Sequence, residues 1–322
     1  MTQLFAYIAH KEGMLDDSAA ELAQAASKID AGATVTAIVT GSGSHLDTAC
    51  QAAAGFYPAV WKFDAADLAY PNAEAIRKLL VAALPTGGIL LLAHDTFGMD
   101  LGPGLAVKLD AAYVADVMGI ESVADSQAVL VRQEYGGMAH THVRCDLSGG
   151  AVLTLRPGSF QTDEGGDAGG QVEDKSGEIG DLGTGRRFLE VVQAEAGDVD
   201  ITKADVLVSI GRGIEDEENI ELAQELAEAM GAVVSCSRPI VDAKWLEKAR
   251  QVGTSGKTVK PKVYLALGIS GSFQHLGGLK GSPFVVAVNK NPKAPIFQFA
   301  DVGIVEDILE FMPALTEKLK EG

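Results

Sequence analysis

Short apolar segments that each lead into a polar, glycine-rich turn occupy residues 235–289 of this chain. They read SCSRPIVDA, QVGTSGK, YLALGISGSFQHLGG and FVVAVNK. An open α/β sheet uses such turns, at the carboxyl ends of its strands, to place backbone N–H groups, hydroxyls and a cation around a bound nucleotide. The pattern therefore predicts a doubly wound parallel sheet that carries a nucleotide site.

Composition limits the class of protein. A chain of 322 residues, 47% hydrophobic and 22% charged, has the size and make-up of a two-domain globular protein. Its three cysteines are widely spaced and form no CxxC pair, which argues against a zinc site, an iron–sulfur cluster or a disulfide framework. The start, MTQLFAYIAHKEG, has the pattern of a first strand rather than a signal peptide, and no apolar run reaches the roughly 18 residues of a membrane span. We therefore expect a cytoplasmic location without membrane insertion.

The net charge of −18 is unevenly distributed. Residues 238–293 contain ten lysines and arginines but only two acids, so this segment carries +8 and the rest of the chain −26. The overall acidity argues against nucleic acid as a partner. The basic segment is either a solvated surface or an anion pocket. Arg238, directly after a strand, is the strongest candidate for contact with a pyrophosphate.

Residues 1–200 are predicted to form an N-terminal α/β domain. The apolar pattern predicts strands at Leu4–Ala9, Thr34–Thr40, Ile89–Ala93, Ala128–Val131 and Ala151–Leu155. It predicts helices at Ser18–Ile29, Leu46–Ala54 and Ala73–Leu84. The turn after the first strand, residues 10–13, is a poor cradle for phosphate. We therefore expect a nucleotide-binding-like topology without a nucleotide.

Residues 161–200 contain eleven acids and nine glycines, which predicts an acidic loop or linker. Within it, the weak alternation over 188–195 suits a strand. A second domain is predicted over residues 201–322. Its strands are Val206–Ile210, Val233–Ser235, Val263–Leu267 and Val285–Val288. Its helices are Ile220–Met230, with Gly231 as its cap, and the terminal Ile304–Leu319.

Two glycine turns indicate a ligand site in the second domain. Residues 211–213 (GRG) and 268–272 (GISGS) each follow a strand and precede a helix. Glycines there allow close backbone approach, and a helix N-terminus attracts anions. Residues 211–213 alone are equally well explained as a tight turn.

Three further groups have both a structural and a functional interpretation. Arg238, held in place by Pro239, contacts either a phosphate or an aromatic ring, or forms a surface ion pair with Asp242. The loop 251–257 is either a hydrogen-bond donor to the edge of a ring or a solvent loop. His275 is either a structural histidine or the partner of a bound anion.

These elements, in this order, resemble the FAD-binding domain of the electron transfer flavoprotein α-subunit family. The resemblance covers nearly all of residues 205–315 and continues through the strings NKNP (289–292), APIF (294–297) and ADVGIVED (300–307). In the N-terminal half it rests on three strings, MDLGPGLAVKLDAAYVADV (99–117), YGG (135–137) and LRPG (155–158).

The resemblance implies a bound FAD and a β subunit that covers it, so that the two chains form a heterodimer. It implies that Arg238 lies over the isoalloxazine and stabilises its anionic reduced forms. Ser255 would bond the central-ring nitrogen, and His275 would face the pyrimidine carbonyl. These three residues would tune the redox potential. Thr254 departs from the family, in which glutamine is common at this position, and some members have threonine where this chain has Ser255.

The resemblance also implies a cofactor-binding set of Arg212, Ser237, Arg238, Gln251, Val252, Gly253, Thr254, Ser255, Ser270, Gly271, Ser272, Phe273, Gln274, His275, Asn289, Asp307 and Ile308. Asn289 and Asp307 are expected toward the adenosine end. We expect no metal ligand and no catalytic residue.

The function that the resemblance implies is electron transfer. FAD would be reduced by acyl-CoA or other flavin dehydrogenases, as in fatty acid β-oxidation, and oxidised by a quinone oxidoreductase or similar acceptor. The protein would be an electron carrier rather than a bond-making enzyme. One alternative is the α subunit of an electron-bifurcating flavoprotein that uses NADH and a second FAD. Others are a non-redox nucleotide-binding sensor module and an NAD-dependent enzyme domain, although the full Gly-x-Gly-x-x-Gly fingerprint is missing.

Overall fold

The computed structural model describes residues 3–135, 138–160, 168–190, 199–281 and 283–321. The chain divides into two compact units, Met1–Glu190 (unit 1) and Val191–Gly322 (unit 2). Each unit has its own main sheet and its own hydrophobic core. The sequence suggested a domain boundary between residues 200 and 201, and that boundary stays a prediction.

Unit 1 is an α/β structure with one large sheet. Its strands are β1 (Leu4–Ile8), β2 (His10–Lys11), β3 (Met14–Leu15), β4 (Val35–Gly41), β5 (Ala59–Asp64), β6 (Ile89–Ala93), β7 (Ala112–Ala124), β8 (Gln127–Glu134), β9 (Ala139–Asp146), β10 (Ala151–Leu155) and β11 (Gln171–Asp174). Its α-helices are α1 (Ser18–Ile29), α2 (Gly43–Ala53), α3 (Ala73–Ala83) and α4 (Thr96–Leu109). The sheet has the order β11-β5-β4-β1-β6-β10-β7-β8-β9.

The unit 1 sheet is parallel from β11 to β7 and antiparallel from β7 to β9. Successive residues of β1 point to opposite faces, so Leu4 lies in the core that α1 and α2 cover, and Phe5 lies in the core of α3 and α4. Burial on both faces explains why β1 is apolar throughout.

The predicted strands and helices of unit 1 are present within a few residues of their predicted bounds. The sequence did not predict β5, β7, β9 or α4. Helix α4 contains Pro103 and several glycines, which are weak helix formers, and β7 has irregular register with both neighbours. Packing on the sheet therefore overrides local propensity in these segments. After β1 the chain forms a hairpin of β2 and β3.

Part of the predicted linker at 161–200 belongs to unit 1. Residues 161–167 and 191–198 lie outside the described residues, so the strand suggested over 188–195 is described only at 188–190, which is not a strand. In contrast, β11 pairs in parallel with β5, and Leu182 is buried in the same core as α3. Isolated apolar residues between the glycines therefore reach the core. For residues 168–190 the interpretation as a linker is corrected, because this segment is part of unit 1.

Unit 2 is a smaller parallel α/β structure. Its strands are β12 (Val206–Ile210), β13 (Val233–Cys236), β14 (Val263–Leu267), β15 (Phe284–Val288) and β16 (Val302–Ile304). Its α-helices are α5 (Ile220–Met230), α6 (Arg238–Asp242), α7 (Phe273–Leu276) and α8 (Ile308–Glu321). The strand order is β13-β12-β14-β15-β16. The order reverses between β12 and β14, and the carboxyl ends of strands at such a point are where open α/β sheets bind ligands.

Two predicted helices of unit 2 differ from expectation, one because it begins later and the other because it is short. Ile304 ends the edge strand β16, and α8 begins at Ile308 after Asp307, whose carboxylate accepts a hydrogen bond from the Leu309 N–H at 2.9 Å. The helix expected directly after the 268–272 turn is the single turn α7. The predicted cap of α5 is confirmed, because Gly231 has the left-handed φ of 60° typical of helix ends.

Candidate functional site

A cavity of about 730 Å³ lies at the carboxyl ends of the unit 2 strands. It is lined by the turns that follow β12, β13, β14 and β15 and by the loop at 251–255. Its volume is typical of sites for small molecules and cofactors. All but four of the predicted cofactor-binding residues line it, namely Arg212, Ser237, Arg238, Gln251, Val252, Gly253, Thr254, Ser255, Ser270, Ser272, Gln274, His275 and Asn289.

The two glycine turns contact each other where Gly213 and Gly268 line this cavity. The Gly211 N–H donates to the Leu267 carbonyl at 2.8 Å, and the Gly213 N–H donates to the Gly268 carbonyl at 3.1 Å. A Cβ added to Gly213 would lie 2.7 Å from the Gly268 Cα. Side chains are therefore excluded from this contact, and backbone groups of both turns come close to the cavity.

The loop at 251–257 is held in place by hydrogen bonds with its neighbours. The Val252 N–H donates to the Cys236 carbonyl at 2.9 Å, and the Thr254 N–H donates to the Gln274 carbonyl at 2.8 Å. The side-chain amide of Gln251, which is buried, donates to the Ser255 hydroxyl oxygen at 2.9 Å. The loop is thus an ordered wall of the cavity, and Ser255 keeps its own O–H available for another acceptor.

His275 is a buried histidine that lines the cavity. Its Nε2 lies 2.8 Å from the hydroxyl oxygen of Tyr264, which in turn donates to the Ser209 hydroxyl at 2.7 Å. Its other ring nitrogen, Nδ1, has no hydrogen-bond partner among the described residues. Burial lowers the pKa of His275 to about 4, and a weaker backbone interaction with Val252 opposes that shift. The imidazole is therefore neutral at physiological pH.

Charged side chains lie at the rim of the cavity. Arg238 begins α6, and its Nε donates to the Asp242 carboxylate at 3.3 Å, with both side chains largely exposed. Arg212, in the turn after β12, is also exposed. The functional interpretation of Arg238 and its pairing with Asp242 are thus compatible, because an exposed ion pair is weak and exchanges readily.

A second ion-pair group joins three segments near the same rim. Lys290 Nζ lies 2.9 Å from the Glu215 carboxylate and 3.0 Å from the Asp307 carboxylate. The Lys290 ammonium helps to lower the pKa of Asp307, after the hydrogen bond from the Leu309 backbone. Glu215 has a φ of 69°, which is unfavourable for a residue with a side chain. The group therefore restrains the loops after β12 and β15 against the start of α8.

Four predicted residues do not line the cavity, and each has another role in the structure. Gly271 has φ of 83° and packs so closely on Ile296 that a Cβ would lie 2.4 Å from the Ile296 N. The Phe273 side chain is 69% exposed. Asp307 caps α8 and pairs with Lys290, while Ile308 is buried in the core between helices and sheet.

The cavity also contains residues outside the predicted set. They are Gly213, Glu215, Pro239, Asp242, Gly268, Ile269, Asn291, Ala294 and Pro295. Most of them lie next to predicted residues in the same turns. Their position beside those residues in the sequence could therefore have identified them. Glu215 is different, because the acidic stretch around it has the pattern of a helix start and nothing in that pattern indicates a ligand site.

The described residues hold no group of three or more histidine, cysteine or acidic side chains placed to bind a metal ion. Every helix in the described part of the chain is too short or too polar to cross a membrane. The cavity residues themselves fit the FAD that the resemblance implies. The close glycine contact allows a bulky pyrophosphate to approach the backbone, and the hydroxyl of Ser255, whose own O–H is uncommitted, suits a polar ring edge.

Unit 2 has a parallel α/β sheet with a polar cavity at the point where its strand order reverses. This arrangement is that of proteins that bind a nucleotide cofactor. Residues 4–179 match the electron transfer flavoprotein domain, and residues 200–280 match the electron transfer flavoprotein FAD-binding domain. The chain belongs to the electron transfer flavoprotein α-subunit family. Its function is electron transfer, its cofactor is FAD, and its partner is a β subunit.

Relatives at moderate identity extend over most of the chain. The electron transfer flavoprotein α subunit of Bacillus subtilis is 38% identical over 235 residues, which are 72% of this chain and 70% of that protein. Protein FixB of Clostridium saccharobutylicum is 35% identical over 261 residues, 80% of this chain and 78% of its own. The mitochondrial α subunit of Arabidopsis thaliana is 33% identical over 323 residues, 97% and 88% respectively.

Proposed function

We propose that the cavity at the carboxyl ends of β12 to β15 is the FAD site of this electron carrier. One observation carries the proposal. Residues that were selected from the sequence alone come from five separate turns, and they line one cavity. Backbone N–H groups, hydroxyls, two arginines and a buried ring nitrogen supply the contacts that a dinucleotide with a polar aromatic ring needs.

Three residues are proposed to set the redox potential, while bound FAD supplies one- and two-electron chemistry. Arg238 provides a cation, and its exposed ion pair with Asp242 is weak. Ser255 accepts from Gln251 and can donate its own O–H to a ring nitrogen. His275 contributes a buried, neutral imidazole to the cavity wall.

The remaining residues of the predicted set are proposed to hold the cofactor. Asn289 lines the cavity, and its side-chain amide donates a hydrogen bond to the Ile269 carbonyl at 3.0 Å. We assign this residue to the adenosine end. Asp307 and Ile308 would contribute there through their backbone, since the Asp307 carboxylate is engaged by Lys290 and Ile308 is in the core. Gly271 contributes backbone only, and Phe273 is an exposed neighbour.

The proposed electron donors are acyl-CoA or other flavin dehydrogenases, and the proposed acceptor is a quinone oxidoreductase or similar acceptor. The same proposal includes a role in fatty acid β-oxidation and a cytoplasmic location. The family's electron transfer function supports the class of partner, because a carrier with a bound FAD needs one protein that reduces it and another that oxidises it.

The test is a rapid-mixing experiment on the complex of this chain with its β subunit. The complex is mixed first with an acyl-CoA dehydrogenase and its substrate, and then with a quinone oxidoreductase. We expect loss of the oxidised flavin absorbance followed by its recovery. A complex that binds FAD but is reduced by neither an acyl-CoA dehydrogenase nor another flavin dehydrogenase would contradict the proposed donors.

The same preparation separates the carrier from the bifurcating type. One FAD per heterodimer, with no reduction by NADH, agrees with the proposed carrier. Two FAD per heterodimer, with rapid reduction by NADH, would show instead that the chain is the α subunit of a bifurcating flavoprotein.

A further inference from the structure

A buried glutamine is hydrogen-bonded to an exposed serine in the loop at 251–257. Gln251 is 4% exposed, and its side-chain amide donates to the Ser255 hydroxyl oxygen at 2.9 Å. Both residues line the cavity, and Ser255 is exposed. One member of the pair is therefore held in the protein interior, while the other is accessible to a ligand.

Backbone contacts keep Gln251 and Ser255 in this arrangement. The Gln251 N–H donates to the Lys248 carbonyl at 3.1 Å, and the Gln251 carbonyl accepts from the Lys257 N–H at 2.7 Å. The second of these bonds closes the loop. A Cβ added to Gly256 would lie 2.3 Å from the Gln251 carbonyl oxygen and 2.9 Å from its Cγ, so the closed loop requires glycine there. The folded loop thus holds the pair together before any ligand binds.

The direction of the hydrogen bond determines what Ser255 offers to a ligand. A hydroxyl group has one O–H and two lone pairs, and one lone pair of Ser255 accepts from Gln251. A buried amide N–H without an acceptor is destabilising, so Gln251 keeps Ser255 in this accepting role. The Ser255 O–H is then directed away from the amide, and it is the group that a ligand in the cavity meets.

We propose that Gln251 is a positioning residue that makes Ser255 a hydrogen-bond donor to the ring of the bound cofactor. The cavity then selects a ring with an acceptor atom, such as an unprotonated nitrogen, at the position that Ser255 faces. The inference rests on the proposed function, namely that the cavity holds FAD with its central-ring nitrogen at Ser255. It adds that Gln251, acting through Ser255, causes the preference for that nitrogen.

Amide NMR on the full chain, labelled with ¹⁵N and without cofactor, tests the hydrogen bond itself. The side-chain signals of Gln251 are assigned by their absence in Gln251→Met. We expect these amide protons to exchange with water roughly tenfold faster in Ser255→Ala than in wild type, because one hydrogen bond is lost. Ser255→Thr keeps the hydroxyl and should exchange as wild type does. Equal exchange in wild type and Ser255→Ala would show that Gln251 does not donate to Ser255, and it would overturn the inference.

Selectivity between two cofactors tests the consequence. The complex with the β subunit, freed of its cofactor, is titrated with FAD and with 5-deaza-FAD, in which a C–H replaces the central-ring nitrogen. A site built around a donor discriminates against an analogue that lacks the acceptor. We expect wild type to bind FAD about tenfold more tightly than 5-deaza-FAD. In Gln251→Met this ratio should fall several-fold, because the Ser255 hydroxyl is free to rotate.

A double variant separates positioning from a merely structural role. In a Ser255→Ala background the ratio should be lost already, and Gln251→Met should not change it further. A structural role of Gln251 would instead weaken both cofactors equally, with the ratio unchanged. Gln133→Met is the matched control, because Gln133 accepts a hydrogen bond from Arg156 in unit 1, outside the cavity. Its ratio should be that of wild type.

Gln251→Glu keeps the shape of the side chain and serves if the methionine variant does not fold. Its carboxylate accepts from the Ser255 O–H and turns that proton away from the ligand, so the preference for FAD should disappear. An unchanged ratio in the folded variants would overturn the inference. If FAD binds with the ratio unaffected by Gln251, only this inference fails. If the complex binds neither cofactor, the proposed function fails and this inference with it.

Discussion

Arg238 and Asp242 lie one helical turn apart in α6, and Nε of Arg238 donates to Oδ2 of Asp242 across 3.3 Å. The two side chains are 68% and 64% exposed, so water competes for both. Exposed pairs of this kind contribute about 0.2–1 kcal/mol. Arg238 can therefore leave Asp242 for an anion in the adjacent cavity at small cost, as its proposed role in redox tuning requires.

Arg238→Ala is expected to make the potential of bound FAD more negative, because it removes a cation that stabilises the reduced form. A nearby opposite charge shifts a pKa by roughly 1–3 units. The equivalent one-electron shift is on the order of 60 mV per unit. The measurement is a spectroscopic redox titration of the complex, with Lys318→Ala on α8 as a control that removes an exposed cation outside the cavity. An unchanged potential in Arg238→Ala would sink the assigned role.

Asp242→Asn is expected to shift the potential in the opposite direction. The substitution removes the negative charge that competes for Arg238 while keeping the size of the side chain. We expect a less negative potential, by a smaller amount than the Arg238→Ala shift, because the guanidinium is already only weakly held. The same redox titration checks it. A shift toward more negative values would show that Asp242 positions Arg238 rather than competing with it.

The parts of unit 2 that the sequence predicted best are those with strong local patterns. Strands β14 and β15 are continuous runs of apolar residues, β12 is apolar except for Ser209, and Gly231 ends α5 as helix-end glycines do. The edge strand β16 was not predicted, and its last residue, Ile304, was assigned to the terminal helix, because three residues are too few for a period to be visible. In unit 1, β5 pairs with the distant β11 and β7 with β10, whereas β9 pairs with the preceding strand β8.

The site was predictable wherever a turn follows a strand, since topology brings all such turns to one edge of the sheet. The hydrogen bond between Tyr264 and His275 could not be predicted from the sequence. Tyr264 stands in an apolar strand and has the pattern of a core residue, and only the paired register of β12 and β14 places it beside Ser209. The strained Glu215 and its link to Lys290 likewise depend on loops that meet only in three dimensions.

Gly268→Ala is expected to destabilise unit 2 far more than Gly231→Ala. Both glycines have positive φ, 63° and 60°, which costs an alanine about 1–2 kcal/mol. A Cβ at Gly268 would also lie 2.7 Å from the Gly213 Cα, whereas nothing lies within 4 Å of one at Gly231. Overpacking adds roughly 1–3 kcal/mol. Denaturant unfolding in a Trp61→Phe background, with Trp245 as the reporter in unit 2, measures the difference. Equal losses would show that the glycine contact is not tight.

Ser255→Ala is expected to change the FAD potential with little loss of FAD. It removes the O–H that we assign to the flavin ring, and it leaves the buried Gln251 amide without its acceptor, which costs about 1–3 kcal/mol of stability. Ser255→Thr keeps the hydroxyl and is the matched control, with a potential close to wild type. The readouts are FAD content and a redox titration. Complete loss of FAD in the alanine variant would assign the loop a structural role instead.

His275 is expected to destabilise unit 2 at mildly acid pH. Its folded pKa of about 4 lies below the ordinary value of 6.5. Between these values the unfolded chain binds a proton that the folded chain does not, so stability falls as pH drops from about 6.5 to about 4, by roughly 3 kcal/mol in total. His275→Asn should lack this loss. Unfolding free energies of the two chains against pH, again with Trp245 as reporter, measure the effect, and parallel curves would contradict it.

The measurement that tests the central claim most directly is the visible spectrum of this chain, purified with its β subunit, during stepwise chemical reduction. The account predicts a yellow complex with one FAD per heterodimer whose absorbance is lost on reduction and returns on oxidation. Reduction of Arg238→Ala should require a more negative potential. A colourless complex that binds only AMP or NAD would contradict the account and identify a nucleotide-binding module without redox function.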